Sequence, residues 1–284
     1  MPTKTILASW NQTITPLDEL KIPILDRAFF FGDAVYEVLR IYRGKPFLLE
    51  AHMSRLAQSL RELSIHNAPD VEDEILKNIA LNQVQEGMTY VQISRGSGHR
   101  SHSFYQKPFT PNTLIYTEAF FEHPAEEEAK TGIFAITQDD VRWGRCYIKS
   151  VNLLANCVAL SHANEVGAEE AILIRDGWVT EGSTSNVFIV KNHSVITPPL
   201  SARILPGTRR RFLVQALKEQ GQNVEERPIA KSELFTADEV FISSSIKEAL
   251  PVIAIDQQAI NGGRIGPVAA LARALIVQSS QLSD

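Results

Sequence analysis

Near the middle of the chain the sequence changes character. The stretch FEHPAEEEAKTG is polar, acidic and carries one proline. Segments on both sides of it alternate between strand-like and helix-like patterns, so the chain is expected to build two bodies rather than one. The expected division is an α+β domain over residues 1–118, a linker over 119–131 and a second α+β domain over 132–284. A cleft between two such domains is a natural place for a ligand.

The periodicities supply the elements. LASWNQTI and RIYRGKPFLL read as strands, the second turning at Arg43-Gly44. Leu49, Met53, Leu56, Leu60 and Leu63 fall at helical spacing. VEDEILKNIALNQVQEG reads as a second helix closed by Gly87. TYVQISRG, NTLIYTEAF and GIFAITQDDVRW read as strands, and LLANCVALSHANEVG as a helix. Two hairpins follow, EAILIRDGWVTEG turning at Asp176-Gly177 and then NVFIVKNHSVITPP. TRRRFLVQALKEQG is a helix, EVFISSSIKEALPVIAI a strand, loop and strand, and GPVAALARALIVQ a closing helix.

The 284 residues are 44% hydrophobic and carry a net charge of −5, which argues against nucleic acid or an anionic membrane as the main partner. Apolar runs are far shorter than a membrane span, and the N-terminus has no signal-peptide pattern. The two cysteines, Cys146 and Cys157, are too few for a disulfide framework. No Cys/His cluster has zinc spacing, and no metal is expected. A cytoplasmic protein with reduced thiols is the expectation.

Candidate chemistry gathers in the second half. Lys149, in RCYIKSVNLL, sits among apolar residues at what reads as the tail of a strand. It is either on a solvated strand face or a desolvated, reactive amine. VTEGSTSN sends Glu181 out of a strand into a loop of small hydroxyl residues, which can turn its N–H groups toward an anion. ILPGTRRRF opens a helix at Gly207 and Thr208, another ready anion site, and ISSSIKEA adds Ser243, Ser244 and Ser245 at a strand end. Each of these is also ordinary turn and cap chemistry. GxxxxGK[ST] and GxGxxG are both missing, so nucleotide readings have no support. A lysine, an acid and a phosphate cradle together suggest pyridoxal phosphate, whose ring nitrogen needs a carboxylate to stay protonated.

The segments LDRAFFFGDAVYEVLR, YVQISRGSGHRSH, RCYIKSVNLL, EAILIRDGWVTEGSTSNVF, ILPGTRR and ALPVIAID, in this order, cover nearly the whole chain. Together they resemble the fold-type IV pyridoxal-phosphate aminotransferases, and among them the D-amino-acid transaminases. The resemblance implies a two-domain α+β enzyme with its active site in the interdomain cleft. Lys149 matches the Schiff-base lysine that also shuttles the substrate proton. Glu181 matches the carboxylate facing the pyridine nitrogen, and Arg55 the phosphate-binding arginine, although spacing alone also fits a solvated helix arginine. Gly207, Thr208 and Arg209 match the phosphate loop at a helix N-terminus, and Ser244 and Ser245 the second phosphate segment. One departure stands in that loop: Arg209 occupies the place of the threonine in the usual glycine, β-branched, threonine, arginine order, read here as Gly207-Thr208-Arg209-Arg210. The threonine hydroxyl contact is therefore in question, and Arg209 either adds charge or faces solvent.

Tyr36, Arg100 and His102 match the group that traps the substrate carboxylate in the D-amino-acid transaminases. Residues i and i+2 of an extended loop share a side, so Arg100 and His102 can converge on one anion. The bland alternative for His99, Arg100 and His102 is an exposed polar loop or a weak metal site. The resemblance further implies a ping-pong exchange between D-amino acids and 2-oxo acids, in a homodimer with shared sites. An (R)-amine transaminase and a branched-chain L-amino-acid transaminase are the rivals within the fold; a lyase of the fold would lack the trap.

Overall fold

The computed structural model describes residues 5–104, 109–120 and 125–282. The chain divides into two compact units, one of Met1–Phe121 with Ile148–Asn152, the other of Glu122–Tyr147 with Leu153–Asp284. Of the expected linker, residues 121–124 lie outside the described residues.

The first unit contains β1 (Leu7–Trp10), β2 (Thr13–Pro16), α1 (Arg27–Phe31), β3 (Ala34–Tyr42), β4 (Lys45–Pro46), α2 (Leu49–Glu62), α3 (Glu72–Asn82), β5 (Gly87–Ser94) and β6 (Asn112–Ala119). Its strands form an antiparallel sheet in the order β2-β1-β6-β5-β3-β4. Val35, Leu39, Val91, Ile93 and Ile115 are fully buried in it. The alternation that buries them places Tyr36 and Glu37, consecutive on β3, on opposite faces.

The helix expected to close at Gly87 ends earlier. Gln83 takes the left-handed conformation that stops α3, and Gly87 instead opens β5. A Cβ at Gly87 would lie 2.0 Å from the Glu118 carbonyl oxygen, so this glycine serves a close strand-to-strand approach rather than a helix end.

The second unit contains α4 (Glu126–Thr131), β7 (Ile133–Asp139), α5 (Leu154–Glu165), β8 (Glu170–Arg175), β9 (Trp178–Gly182), β10 (Asn186–Lys191), β11 (Ser194–Thr197), α6 (Thr208–Glu219), β12 (Asn223–Glu226), α7 (Lys231–Leu234), β13 (Glu239–Ser244), β14 (Glu248–Ile255), β15 (Gln258–Ala259) and α8 (Pro267–Leu282). The sheet runs β12-β11-β10-β13-β14-β7-β8-β9, with β15 on β14, and mixes parallel with antiparallel pairs. Its central strands are apolar without interruption because both faces are covered. Val187 and Ile189 pack with Ile242, Leu250 and Val252 on one face. Phe188, Phe241, Leu213 and Ile276 pack on the other, under α6 and α8, with the two phenylalanine rings stacked at 4.8 Å. Both expected hairpins form, β8 with β9 and β10 with β11. Within the expected linker, Ala125 and Ala129 join this unit's core beside α4. Among the described residues, no helix is long and apolar enough to cross a membrane.

Candidate active site

In the first unit, Lys149 is not the tail of a strand. It lies in an irregular segment fastened to the start of β3 by the isolated Val35–Ser150 bridge. The Tyr36 N–H donates to the Lys149 carbonyl at 3.0 Å, and Val151 N–H to the Ala34 carbonyl at 3.2 Å. The Lys149 N–H donates to Ser59 Oγ of α2 at 3.2 Å. A backbone held at these points aims the side chain. Its Nζ stands 4.2 Å from the centre of the Tyr36 ring, a cation–π geometry, and the residue is half-buried. Tyr36 stacks on Tyr90 at 5.8 Å, and Tyr90 on Tyr116 at 5.3 Å. Burial and these neighbouring phenols push the Tyr90 hydroxyl above its ordinary pKa.

Arg55 is buried on the other face of β3, so it is not a solvated helix arginine. Its Nε and Nη2 donate to the two oxygens of Glu37 at 2.8 and 2.7 Å, and His52 Nδ1 meets Glu37 at 2.7 Å. Burial alone would push the Glu37 carboxyl up; Arg55 and His52 outweigh it and hold the carboxyl well below its usual range. Arg100 and His102 lie on an exposed loop beyond β5. Both reach the same ring: the Arg100 guanidinium is 5.3 Å and the His102 ring 5.5 Å from Phe31.

In the second unit, Glu181 ends buried near the close of β9. One carboxylate oxygen accepts from Arg142 Nη1. The other accepts from the Leu205 N–H at 2.9 Å and from Asn186 Nδ2 at 3.1 Å. Burial pushes the carboxyl up to about 7, against the pull of Arg142 and the Leu205 N–H. Arg142 is itself fixed by Asp140, to which Nε and Nη2 both donate at 2.9 Å. The sequence reading missed Arg142; the Asp140, Arg142 spacing in DDVRW was its signal.

The hydroxyls of the loop after Glu181, and the Ser183 N–H, turn to a carboxyl group of the chain itself. Ser183 N–H and Ser185 Oγ donate to Glu170, at 2.9 and 2.8 Å, Thr184 Oγ1 at 3.1 Å, and the Ser183 hydroxyl also bonds it. The carboxyl group that this loop wraps is the chain's own fully buried Glu170.

Gly207 caps α6 with no side-chain hydrogen bond at the helix N-terminus. A Cβ there would lie 2.0 Å from Asn186 Oδ1, so the residue that holds Glu181 requires a glycine at this place. Thr208 and Arg209 are buried, which removes solvent-facing as the account of Arg209. Arg209 Nη2 reaches the Ser245 carbonyl at 3.3 Å and ties the helix start to the second serine segment. Arg210 turns away to Pro198 and Glu226, each at 2.7 Å. Ser244 and Ser245 are half-buried, and the buried Ser243 hydroxyl beside them has no hydrogen-bond partner among the described residues. A helix start without a side-chain cap, an orphaned hydroxyl and a buried guanidinium fit a phosphate group.

Residues 34–255 match the model of the class IV amino-transferases. The chain belongs to this family. A D-alanine aminotransferase from Bacillus licheniformis is 42% identical over 262 residues, covering 91% of this chain and 92% of that protein. One from Staphylococcus aureus (strain MSSA476) is 35% identical over 253 residues, covering 88% and 89%. Among solved structures, the branched-chain amino acid aminotransferase of Escherichia coli superposes with a TM-score of 0.86 at 25% identity, covering 97% of this chain and 94% of that one. This class IV aminotransferase is therefore α+β, as its sequence led one to expect.

Proposed function

We propose that the chain transfers the amino group of D-amino acids, D-alanine and D-glutamate among them, to 2-oxo acids such as pyruvate and 2-oxoglutarate. Pyridoxal phosphate is its cofactor, and the two half-reactions alternate in ping-pong order. The relatives named D-alanine aminotransferase support this reading. The observation that carries it is the approach of both Arg100 and His102 to the one ring of Phe31, since two donors held close together can bind one carboxylate. A carboxylate fixed at one point leaves the α-hydrogen and side chain one arrangement each.

Pyridoxal phosphate, when bound, supplies an aldehyde that exchanges amines and a ring that withdraws electrons. Lys149 is the proposed covalent anchor and the amine that takes the substrate proton and returns it. The face of the Tyr36 ring, 4.2 Å from Nζ, helps to position the amine for that transfer. Glu181 is the proposed partner of the ring nitrogen, biased toward its ionised form by Arg142. Arg55, steadied by Glu37, binds phosphate in this proposal, together with Gly207, Thr208, Arg209, Ser244 and Ser245. Tyr36 joins Arg100 and His102 as a donor to the substrate carboxylate. A homodimer with shared sites and a cytoplasmic location belong to the same proposal; the first rests on the resemblance, the second on the two free cysteines.

A branched-chain L-amino-acid preference, to which the fit to the branched-chain structure lends support, or an (R)-amine preference is the alternative. An absorbance titration of the holoenzyme decides. D-Alanine is expected to bleach the cofactor band and 2-oxoglutarate to restore it, while L-alanine, L-leucine and (R)-1-phenylethylamine leave it in place. Strong bleaching by L-leucine or the amine shows that Arg100 and His102 are not the selector. Lys149→Ala should lack both the band and turnover; normal turnover by that variant ends the assignment.

A further inference from the structure

Arg27 is buried in the first unit, 3% exposed, and the chemistry above does not use it. Its Nε donates to Asp33 at 2.7 Å. Its Nη1 donates to the Ser101 carbonyl at 2.6 Å. Ser101 is the residue between Arg100 and His102. The same guanidinium lies 4.6 Å from the centre of the Phe31 ring, the ring that Arg100 and His102 share. Phe109 stands 5.3 Å away on its own approach.

The foot of this loop is held separately. The Arg27 N–H donates to the Gly96 carbonyl at 3.0 Å and the Gly98 N–H to the Leu25 carbonyl at 3.1 Å. Arg95 shares Asp33, through Nε at 2.8 Å and Nη2 at 3.0 Å, and donates to the Leu63 and Ser64 carbonyls at 2.6 and 2.8 Å. Backbone bonds and Arg95 therefore hold the start of the loop. The Arg27 fork reaches its middle. A planar guanidinium can serve a carboxylate and a carbonyl while stacking on a ring; an ammonium cannot do all three.

We propose that Arg27 is a positioning residue for carboxylate selection. By pinning the Ser101 peptide over Phe31, it keeps Arg100 and His102 turned to the same side without touching the substrate. This rests on the reading of Arg100 and His102 as the carboxylate trap.

The test compares holoenzyme carrying Arg27→Lys, Arg27→Met, Arg100→Ala and each Arg27 change combined with Arg100→Ala. The probes are aminooxyacetate, which carries a carboxylate, and methoxyamine, which does not. Each bleaches the cofactor band, and the ratio of their second-order rates reads carboxylate selection alone. Arg100→Ala is expected to lower the ratio tenfold or more. Both Arg27 variants should lower it by about tenfold to a hundredfold, with the methoxyamine rate within about twofold of wild type. In the Arg100→Ala background the Arg27 changes should lower the ratio by much less than they do alone, because only His102 is left for them to misplace. Backbone order parameters over Arg100–Ser103, read by NMR relaxation, should fall in Arg27→Lys, which keeps the charge beside Asp33 and so serves where the Met variant does not fold.

A collapse of the ratio in Arg100→Ala with no change in the Arg27 variants overturns the inference and leaves the trap standing. An unchanged ratio in Arg100→Ala overturns the trap, and the inference falls with it. Equal losses for both probes, additive losses in the double variants, or unchanged order parameters of the loop in Arg27→Lys would also overturn the role given to Arg27.

Discussion

Glu181 stands between two opposing forces. Burial favours its neutral form, while Arg142, the Leu205 N–H and Asn186 all favour the charged one. Burial wins by enough to leave the carboxyl near 7 rather than at its ordinary 4.5. A proton held more tightly in the folded chain has a consequence for stability. Below 4.5 both folded and unfolded chains carry it. Between 4.5 and 7 the unfolded chain releases it and the folded chain does not, so stability falls as pH rises across this window and levels off above it. Cofactor-free Glu181→Gln has no proton to lose. Its stability relative to wild type should therefore climb by up to about 3 kcal/mol between pH 4.5 and 7.5. Chemical denaturation at both pH values checks this, and a constant difference would show that Arg142 keeps Glu181 ionised throughout. Arg142 itself shows what a sequence hides: nothing in DDVRW says which distant carboxylate an arginine will meet.

At the scale of elements, the strands and hairpins were legible because they answer to local rules. NVFIVK is apolar at every buried place but its first, and Asp176-Gly177 is a turn by composition. Gly87 was misread because a glycine that ends a helix and one that admits a neighbouring strand look alike until the strand is paired. The hydroxyls of EGSTSN were legible as donors, but their acceptor, Glu170, was set by the pairing of β8 with β9. The Gly207, Asn186 and Glu181 chain is of the same kind, since it joins the start of α6 to strands β9 and β10. Gly207→Ala should push Asn186 off both Glu181 and the Leu205 carbonyl. Two hydrogen bonds of about 1 kcal/mol each correspond to roughly a thirtyfold loss in cofactor affinity. Fluorescence titration of the cofactor-free protein with pyridoxal phosphate reads it; affinity equal to wild type would mean that Asn186 adapts without cost.

At the scale of the molecule, each unit has its own sheet and its own core, and the units are not consecutive in the chain. Site residues that the sequence suggested fall in both: Tyr36, Arg55, Arg100, His102 and Lys149 in the first, Glu181, Gly207, Thr208, Arg209, Ser244 and Ser245 in the second. Their order in sequence did not reveal that assignment for Lys149, whose five-residue segment is flanked by second-unit chain on both sides. A fragment of residues 1–121 accordingly lacks the peptide that pairs with Val35. It should melt at a lower temperature than the same fragment supplied with a peptide of residues 146–154, as circular dichroism would show; no rise on adding the peptide would mean that the pairing contributes little.

The same feature bears on inheritance. If two relatives exchanged genetic material at the boundary near residue 121, the offspring would take its first sheet from one parent and the proposed anchoring lysine from the other. The hydrogen bonds of Tyr36 and Ser59 to Lys149 would then join strangers. Descent by shuffling at that boundary is thus awkward for such a chain.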